Sequence, residues 1–170
     1  METASVTQAE QSFPFKMVAP LEPGIVVIDM ERMLKFYTEV IGLKLVSDAQ
    51  TTPEMSTKFR ATPHGYRIVR LQTPYGERIK LAQPKLPPVQ NPVPEWVYER
   101  QGLTYLTFIV EDLKPVLVRL KANGVKLVSE EPVEVRKGVI AQFVLDPEGN
   151  YVEFVEYPDI ASYRPDLFKK

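Results

Sequence analysis

The sequence predicts an α+β fold of two paired βαβββ modules, whose curved mixed sheet surrounds a central cleft. Two repeated patterns carry this prediction. A Pro-x-Gly turn followed by a strand occurs at residues 74–76 and again at 147–149, and proline followed by glycine favours a tight turn. A strand, an aspartate and a helical pattern also occur twice, with Asp29 and Asp112 before the helices. Aspartate is a preferred N-cap, so one supersecondary unit is repeated along the chain.

The first module begins with a strand within residues 20–28 and continues with a helix after Asp29. Apolar residues spaced three and four apart define one face of that helix: Met30, Met33, Leu34, Tyr37, Val40 and Ile41. Gly42 suits the position just after a helix, and a strand starts at Leu43. We interpret residues 48–65 as a long loop that acts as a lid. Two strands, at 66–72 and 77–82, complete the module.

The second module repeats this order with a shorter loop. A strand at residues 103–110 precedes a helix whose apolar residues are Leu113, Val116, Leu117 and Leu120. Strands at 125–128, 139–145 and 151–156 follow. Because side chains alternate along a strand, Tyr151, Glu153 and Val155 share one face. Glu153 therefore lies among apolar neighbours, where an ionised carboxylate needs a partner or open water.

The remaining segments connect or flank the modules. We expect an N-terminal arm at 1–19, a first module at 20–82, a proline-rich linker at 83–102, a second module at 103–157 and a tail at 158–170. The arm offers Phe13, Phe15 and Met17 for packing on the body. Five prolines within residues 83–94 predict an extended, semi-rigid connection.

Composition excludes several classes of function. The chain has 170 residues, of which 44% are hydrophobic and 25% charged, and this is typical of a globular protein. The formal net charge of −1 gives no reason to expect a nucleic-acid partner. The absence of cysteine excludes disulfides, thiolate metal sites and a cysteine nucleophile. Without a signal-peptide pattern or a membrane-length apolar run, we expect a soluble cytoplasmic protein.

Two motifs resemble those of the vicinal oxygen chelate superfamily. The first is D-x-E at residues 29–31 leading into F-Y-x-x-V-x-G-L at 36–43, and the second is D-P-x-G-N-x-x-E at 146–153. That superfamily includes glyoxalase I, methylmalonyl-CoA epimerase, extradiol dioxygenases, fosfomycin-resistance transferases and bleomycin-binding proteins. The likeness extends from about residue 20 to residue 157. It implies the fold but no single reaction, because one fold hosts many chemistries.

The resemblance also implies four site residues, because metal-using members place one ligand in the first strand of each module and one after each Pro-x-Gly turn. The matching positions here are Glu22, Lys80, Tyr105 and Glu153. Only Glu153 is an unmodified match. Lys80 departs most, since an ammonium has three donors and no lone pair for a metal.

Two interpretations of this quartet stay open. Oxygen ligands suit hard ions, so Glu22 and Glu153 could hold manganese or magnesium, with zinc as a further alternative. Otherwise no cofactor binds and Lys80 replaces the metal. It then either forms a structural ion pair or polarises a substrate carbonyl, while a carboxylate takes a proton and Tyr105 donates one.

Five further residues are predicted to contribute to substrate binding: Trp96, Arg70, Met55, Phe59 and His64. Each also has an ordinary interpretation. His64 would be a surface histidine, Trp96 would pack between modules, and Arg70 would face solvent.

The ligand predicted for the cleft is a small, largely apolar molecule that bears a carbonyl or hydroxyl group. Three hypotheses follow: a lyase or isomerase that acts by proton transfer, a metal-free protein that sequesters a drug or metabolite, and a metal-dependent lyase or dioxygenase. We also expect a homodimer, because superfamily members often dimerise and two-fold pairing is the commonest symmetry.

Overall fold

The computed structural model describes residues 14–168 and contains two mixed sheets. The first module comprises β1 (Gly24–Val26), α1 (Met30–Lys35), β2 (Lys44–Gln50), α2 (Pro53–Lys58), β3 (Tyr66–Gln72) and β4 (Arg78–Pro84). The second comprises β5 (Tyr105–Val110), α3 (Leu113–Ala122), β6 (Lys126–Leu127), β7 (Val133–Arg136), β8 (Val139–Leu145) and β9 (Tyr151–Glu156). A short helix α4 (Ile160–Tyr163) follows, and 3₁₀ turns occur at Val97–Glu99 and Pro165–Phe168.

Both sheets have the same topology. The strand order is β1-β4-β3-β2 in the first sheet and β5-β9-β8-β6 in the second, where β7 also pairs with β8. β1 runs parallel to β4 and β5 runs parallel to β9, whereas the other pairs are antiparallel. These mixed, open sheets confirm the predicted α+β fold of two repeated modules.

The predicted caps begin both long helices. The Asp29 carboxylate accepts a hydrogen bond from the Arg32 amide, and Asp112 accepts one from the Lys114 amide. Helix α1 continues as a π-helix over Phe36–Val40. Gly42 then reverses the chain with a φ of 95°, in the left-handed region that glycine tolerates best.

A single apolar core joins the two modules through their helix-covered sheet faces. It includes Met33 of α1, Tyr37 of the π-helix that follows, Leu120 of α3, and Val152 and Phe154 of β9. The alternation predicted for the last strand is therefore confirmed, because Val155 belongs to a separate small cluster on the other face. We call that other face of each sheet its open face.

Polar contacts fix the two modules against each other. The Glu148 carboxylate accepts hydrogen bonds from the Ile28 and Asp29 amides, at 2.9 and 2.6 Å. The buried Tyr37 hydroxyl donates to Asp146 Oδ2 at 3.0 Å. The Pro-x-Gly turn of the second module therefore holds the start of α1.

Residues 48–65 do not form the predicted long loop. Strand β2 extends to Gln50, and helix α2 begins after Thr52, whose hydroxyl accepts a hydrogen bond from the Met55 amide. Pro53 at the first helical position supports this start. Met55 and Phe59 are 61% and 76% exposed, so α2 lacks the buried apolar face that would have indicated a helix.

Strand β7 was also missed, because all four of its residues are exposed and no buried alternation marks them. Strand β1 is shorter than predicted, and β4 extends to Pro84 inside the expected linker. In the predicted arm, Phe15 is 62% and Met17 is 50% exposed, whereas Phe13 lies outside the described residues. No helix within residues 14–168 is long and apolar enough to cross a membrane.

Candidate functional site

A cavity of about 540 Å³ lies against the open face of the second sheet. Its lining within residues 14–168 comes from β5, β7, β8, β9, Tyr157 and α4. No described residue of the first module contributes to the wall. This cavity therefore belongs to the second module alone. A second cavity, of about 560 Å³, has Ile28 and Arg32 of the first module and Asp146 and Glu148 of the second on its wall.

Glu153 lies on the wall of the second-sheet cavity, in the middle of β9. Its register neighbours are Thr107 on β5 and Phe143 on β8. The Thr107 hydroxyl donates a hydrogen bond of 2.7 Å to Glu153 Oε2. Thr107 is thus the polar partner that a half-buried carboxylate requires, while Oε1 accepts no hydrogen bond from residues 14–168.

Tyr105 is adjacent to Glu153 on the same open face. Its ring meets Phe143 edge to face at 5.2 Å and Tyr98 at 6.1 Å. The hydrogen bond with Tyr98 raises the pKa of Tyr105 above its usual 10.0, and burial and the Glu153 charge raise that pKa further. Tyr105 therefore stays protonated at neutral pH and can donate a hydrogen bond to a ligand oxygen.

The far end of the cavity holds a cation on an aromatic pair. Tyr157 and Tyr163 stack with centroids 4.0 Å apart and planes 13° from parallel. The Arg136 guanidinium lies 5.5 Å from the first ring centroid and 5.7 Å from the second. Burial and the hydrogen bond with Tyr163 raise the pKa of Tyr157 to about 12, although Arg136 opposes this rise. The Tyr157 phenol is therefore a neutral donor around neutral pH.

The other two predicted site residues lie on the first sheet. Lys80 Nζ is 4.0 Å from Glu22 Oε2, and Arg78 Nη1 is 3.7 Å from Glu22 Oε1. The structure brings Glu22 and Lys80 together, and separately brings Tyr105 and Glu153 together. No hydrogen bond or ion pair within residues 14–168 connects the two pairs.

The five predicted binding residues do not line this cavity. His64 is exposed, and Met55, Phe59 and Trp96 are 61%, 76% and 65% exposed. Arg70 Nη1 donates to Ser47 Oγ at 3.3 Å, within the first sheet.

The residues present do not fit a metal site of the kind the resemblance implied. Within residues 14–168, no three histidine, aspartate or glutamate side chains converge closely enough to hold an ion. Two basic side chains instead surround Glu22, and an ammonium group supplies no lone pair to a metal. We therefore derive no chemical step through a metal.

Sequence reasoning missed Thr107, Arg136, Tyr157 and Tyr163. Extending the alternation of Tyr151, Glu153 and Val155 by one step would have reached Tyr157. Pairing the first and last strands of the module would have placed Thr107 opposite Glu153. No sequence pattern indicated a site role for Arg136, because strand β7 was not predicted.

Residues 18–154 match the family model described as the glyoxalase/bleomycin resistance protein/dioxygenase superfamily. The chain belongs to this superfamily. The match spans both modules, including the D-P-x-G turn and Glu153. The family resemblance drawn from the two sequence motifs is confirmed.

Solved structures of this superfamily share the fold. A glyoxalase family protein from Bacillus cereus is 24% identical with a TM-score of 0.71, over 84% of this chain and 96% of that one. The trypanothione-dependent glyoxalase I of Leishmania major is 22% identical with a TM-score of 0.61, over 87% and 93%. A glyoxalase/dioxygenase from Nostoc punctiforme is 22% identical with a TM-score of 0.59, over 91% and 100%. No match was found among curated protein sequences.

Proposed function

We propose that this glyoxalase-superfamily protein binds a small organic molecule with a carbonyl or hydroxyl group in the second-sheet cavity. It acts there as a lyase or isomerase by proton transfer, with Glu153 as the base. The observation that supports this is the position of the Glu153 carboxylate: it lies on an apolar and aromatic wall, and Thr107 holds one of its oxygens.

The neighbouring groups suit this chemistry. The hydrogen bond from Thr107 orients the carboxylate and leaves Oε1 to accept a proton from a carbon next to a carbonyl. Tyr105, protonated at neutral pH, donates a hydrogen bond to the carbonyl oxygen as negative charge develops there. Both groups act from neighbouring strands of one sheet, which keeps their geometry rigid.

We also infer that two copies pair through their open faces. The open faces leave apolar side chains in solvent, including Val26 at 59%, Ile109 at 39% and Val135 at 60% exposure. Pairing would cover these residues and set the Glu22–Lys80 pair of one copy opposite the cavity of the other. Lys80 would then supply, without a metal, the positive charge that stabilises an enolate.

A deuterium-exchange assay tests the base. The protein is incubated in D₂O with a panel of α-hydroxyketones and 2-oxo compounds, and NMR measures exchange at the carbon beside the carbonyl. We expect Glu153→Gln to lower the exchange rate by about 100-fold or more and to retain binding. Exchange should persist after dialysis against a chelator. The control is Glu111→Gln, which changes an exposed glutamate directly after β5. Equal exchange rates in wild type and Glu153→Gln would exclude Glu153 as the base.

A second candidate function is sequestration of a ligand without turnover. It is favoured by one observation: Glu153 is the sole carboxylate on the described cavity wall, which is otherwise largely aromatic and aliphatic. A wild-type protein that binds members of the panel and exchanges none of their protons would support this candidate.

A further inference from the structure

The cavity has two chemically different ends. Glu153 lies in mid-strand, whereas Arg136, Tyr157 and Tyr163 form the opposite end. Tyr157 lies four positions after Glu153, just beyond the end of β9, and an extended chain spans about 13 Å over four positions. The anionic and cationic groups therefore act on different parts of one bound molecule.

Arg136 has no acidic partner within residues 14–168. None of the ion pairs there involves it, and it donates no hydrogen bond to a described residue. The nearest glutamate along the strand, Glu134, instead accepts a hydrogen bond from the Gly138 amide at 2.6 Å. Arg67 differs, because it is paired with Asp48 and Glu31. The guanidinium of Arg136 therefore keeps its five N–H donors for a ligand or water.

The tyrosine pair holds this cation in a defined place. A guanidinium lying 5.5 and 5.7 Å from two ring centroids is within the range of cation–π attraction. A positioned guanidinium loses less freedom on binding, and its planar donors match a carboxylate with two parallel hydrogen bonds. The neutral hydroxyl of Tyr157 adds a donor, and no negative charge, at the same end.

We propose that the cavity selects small organic carboxylates, with Arg136 binding the carboxylate while the carbonyl or hydroxyl of the same molecule lies beside Glu153. This substrate class rests on the proposed function, because it gives Arg136 a binding role at the end of the cavity opposite Glu153. It requires several bonds between the two groups of the ligand, because Arg136 and Glu153 approach from opposite ends.

The test compares two probes that differ in charge: 4-oxo-4-phenylbutanoate and its primary amide. Isothermal titration calorimetry measures the dissociation constant of each probe for wild type, Arg136→Ala and Arg136→Lys. We expect wild type to bind the carboxylate about tenfold or more tightly than the amide. Arg136→Ala should remove that preference, and Arg136→Lys should restore part of it because the charge remains.

Lys137→Ala is the matched control, because it removes an exposed cation from the position directly after Arg136. It should keep the wild-type preference, and circular dichroism should show that every variant is folded. Equal affinity of wild type for both probes, or a preference unchanged in Arg136→Ala, would overturn the assignment of Arg136 and leave the binding cavity standing. A wild type that binds neither probe at millimolar concentration would overturn both this inference and the proposed cavity.

Discussion

The Asp146 carboxyl organises the turn that gives the superfamily motif its form. Its Oδ1 accepts hydrogen bonds from the Glu148 and Asn150 amides, and its Oδ2 accepts from Asn150 Nδ2 and the Tyr37 hydroxyl. Burial raises the pKa of Asp146, and these hydrogen bonds oppose the rise. The aspartate was predicted only as the first residue of a turn, but the structure gives it a partner 109 positions away.

Removal of the Tyr37 hydroxyl tests this long-range contact. We expect Tyr37→Phe to lower the free energy of unfolding by about 1–2 kcal/mol. The substitution keeps the aromatic ring but removes the hydroxyl that donates a hydrogen bond to the buried Asp146 carboxylate. Urea denaturation measures the change. Tyr75→Phe is the matched control, since Tyr75 is 82% exposed and should change the unfolding free energy little. Equal losses in both variants would mean that the Tyr37–Asp146 bond contributes nothing measurable.

At the scale of elements, Arg67 joins β3 to β2 and α1. Its guanidinium donates to both oxygens of Asp48, at 3.0 and 2.7 Å, and to Glu31. The hydrogen bond from Arg67 lowers the pKa of Asp48 below 3.8. The folded chain therefore favours the ionised carboxylate of Asp48. This stabilising contribution is present above pH 3.8 and is lost as the pH falls through the lower, folded-state pKa.

Arg67→Met should therefore show a pH-dependent effect. We expect it to lower the free energy of unfolding by about 1 kcal/mol at pH 7, with the difference from wild type shrinking below about pH 3.8. Chemical denaturation at a series of pH values measures this. In an Asp48→Asn background, the loss of unfolding free energy caused by Arg67→Met should depend less on pH in the acid range. A difference that is constant from pH 7 to pH 3 would contradict the assignment.

At the scale of the whole molecule, the shared core lies on the helix-covered faces and leaves both open faces uncovered. The exposed apolar residues there are the basis for the proposed homodimer. We expect light scattering to give twice the chain mass of 19.4 kDa. Val26→Lys should shift the protein toward monomer, because it places a charge on an open face that the dimer would bury.

Val118→Lys is the control for this substitution, since Val118 is 69% exposed on α3, away from the open faces. It should leave the mass unchanged. A wild type that is monomeric at micromolar concentration would rule out the dimer. Lys80 could then not lie opposite the cavity of a second copy.

The sequence by itself determined the repeated module, the two N-caps and most strands, because each depends on short-range features such as turn composition, apolar spacing and capping side chains. Strands β3, β8 and β9 coincide with their predicted ranges. Strand β7 and helix α2 were missed because their largely exposed residues leave no apolar period. The grouping of the site was decided by the tertiary structure. Glu153 was found from its motif, but only strand pairing places Thr107 beside it. The chain after β9 folds back so that Tyr163 stacks on Tyr157 and lies next to Arg136. Strand neighbours and module placement depend on contacts between distant residues, which local patterns do not encode.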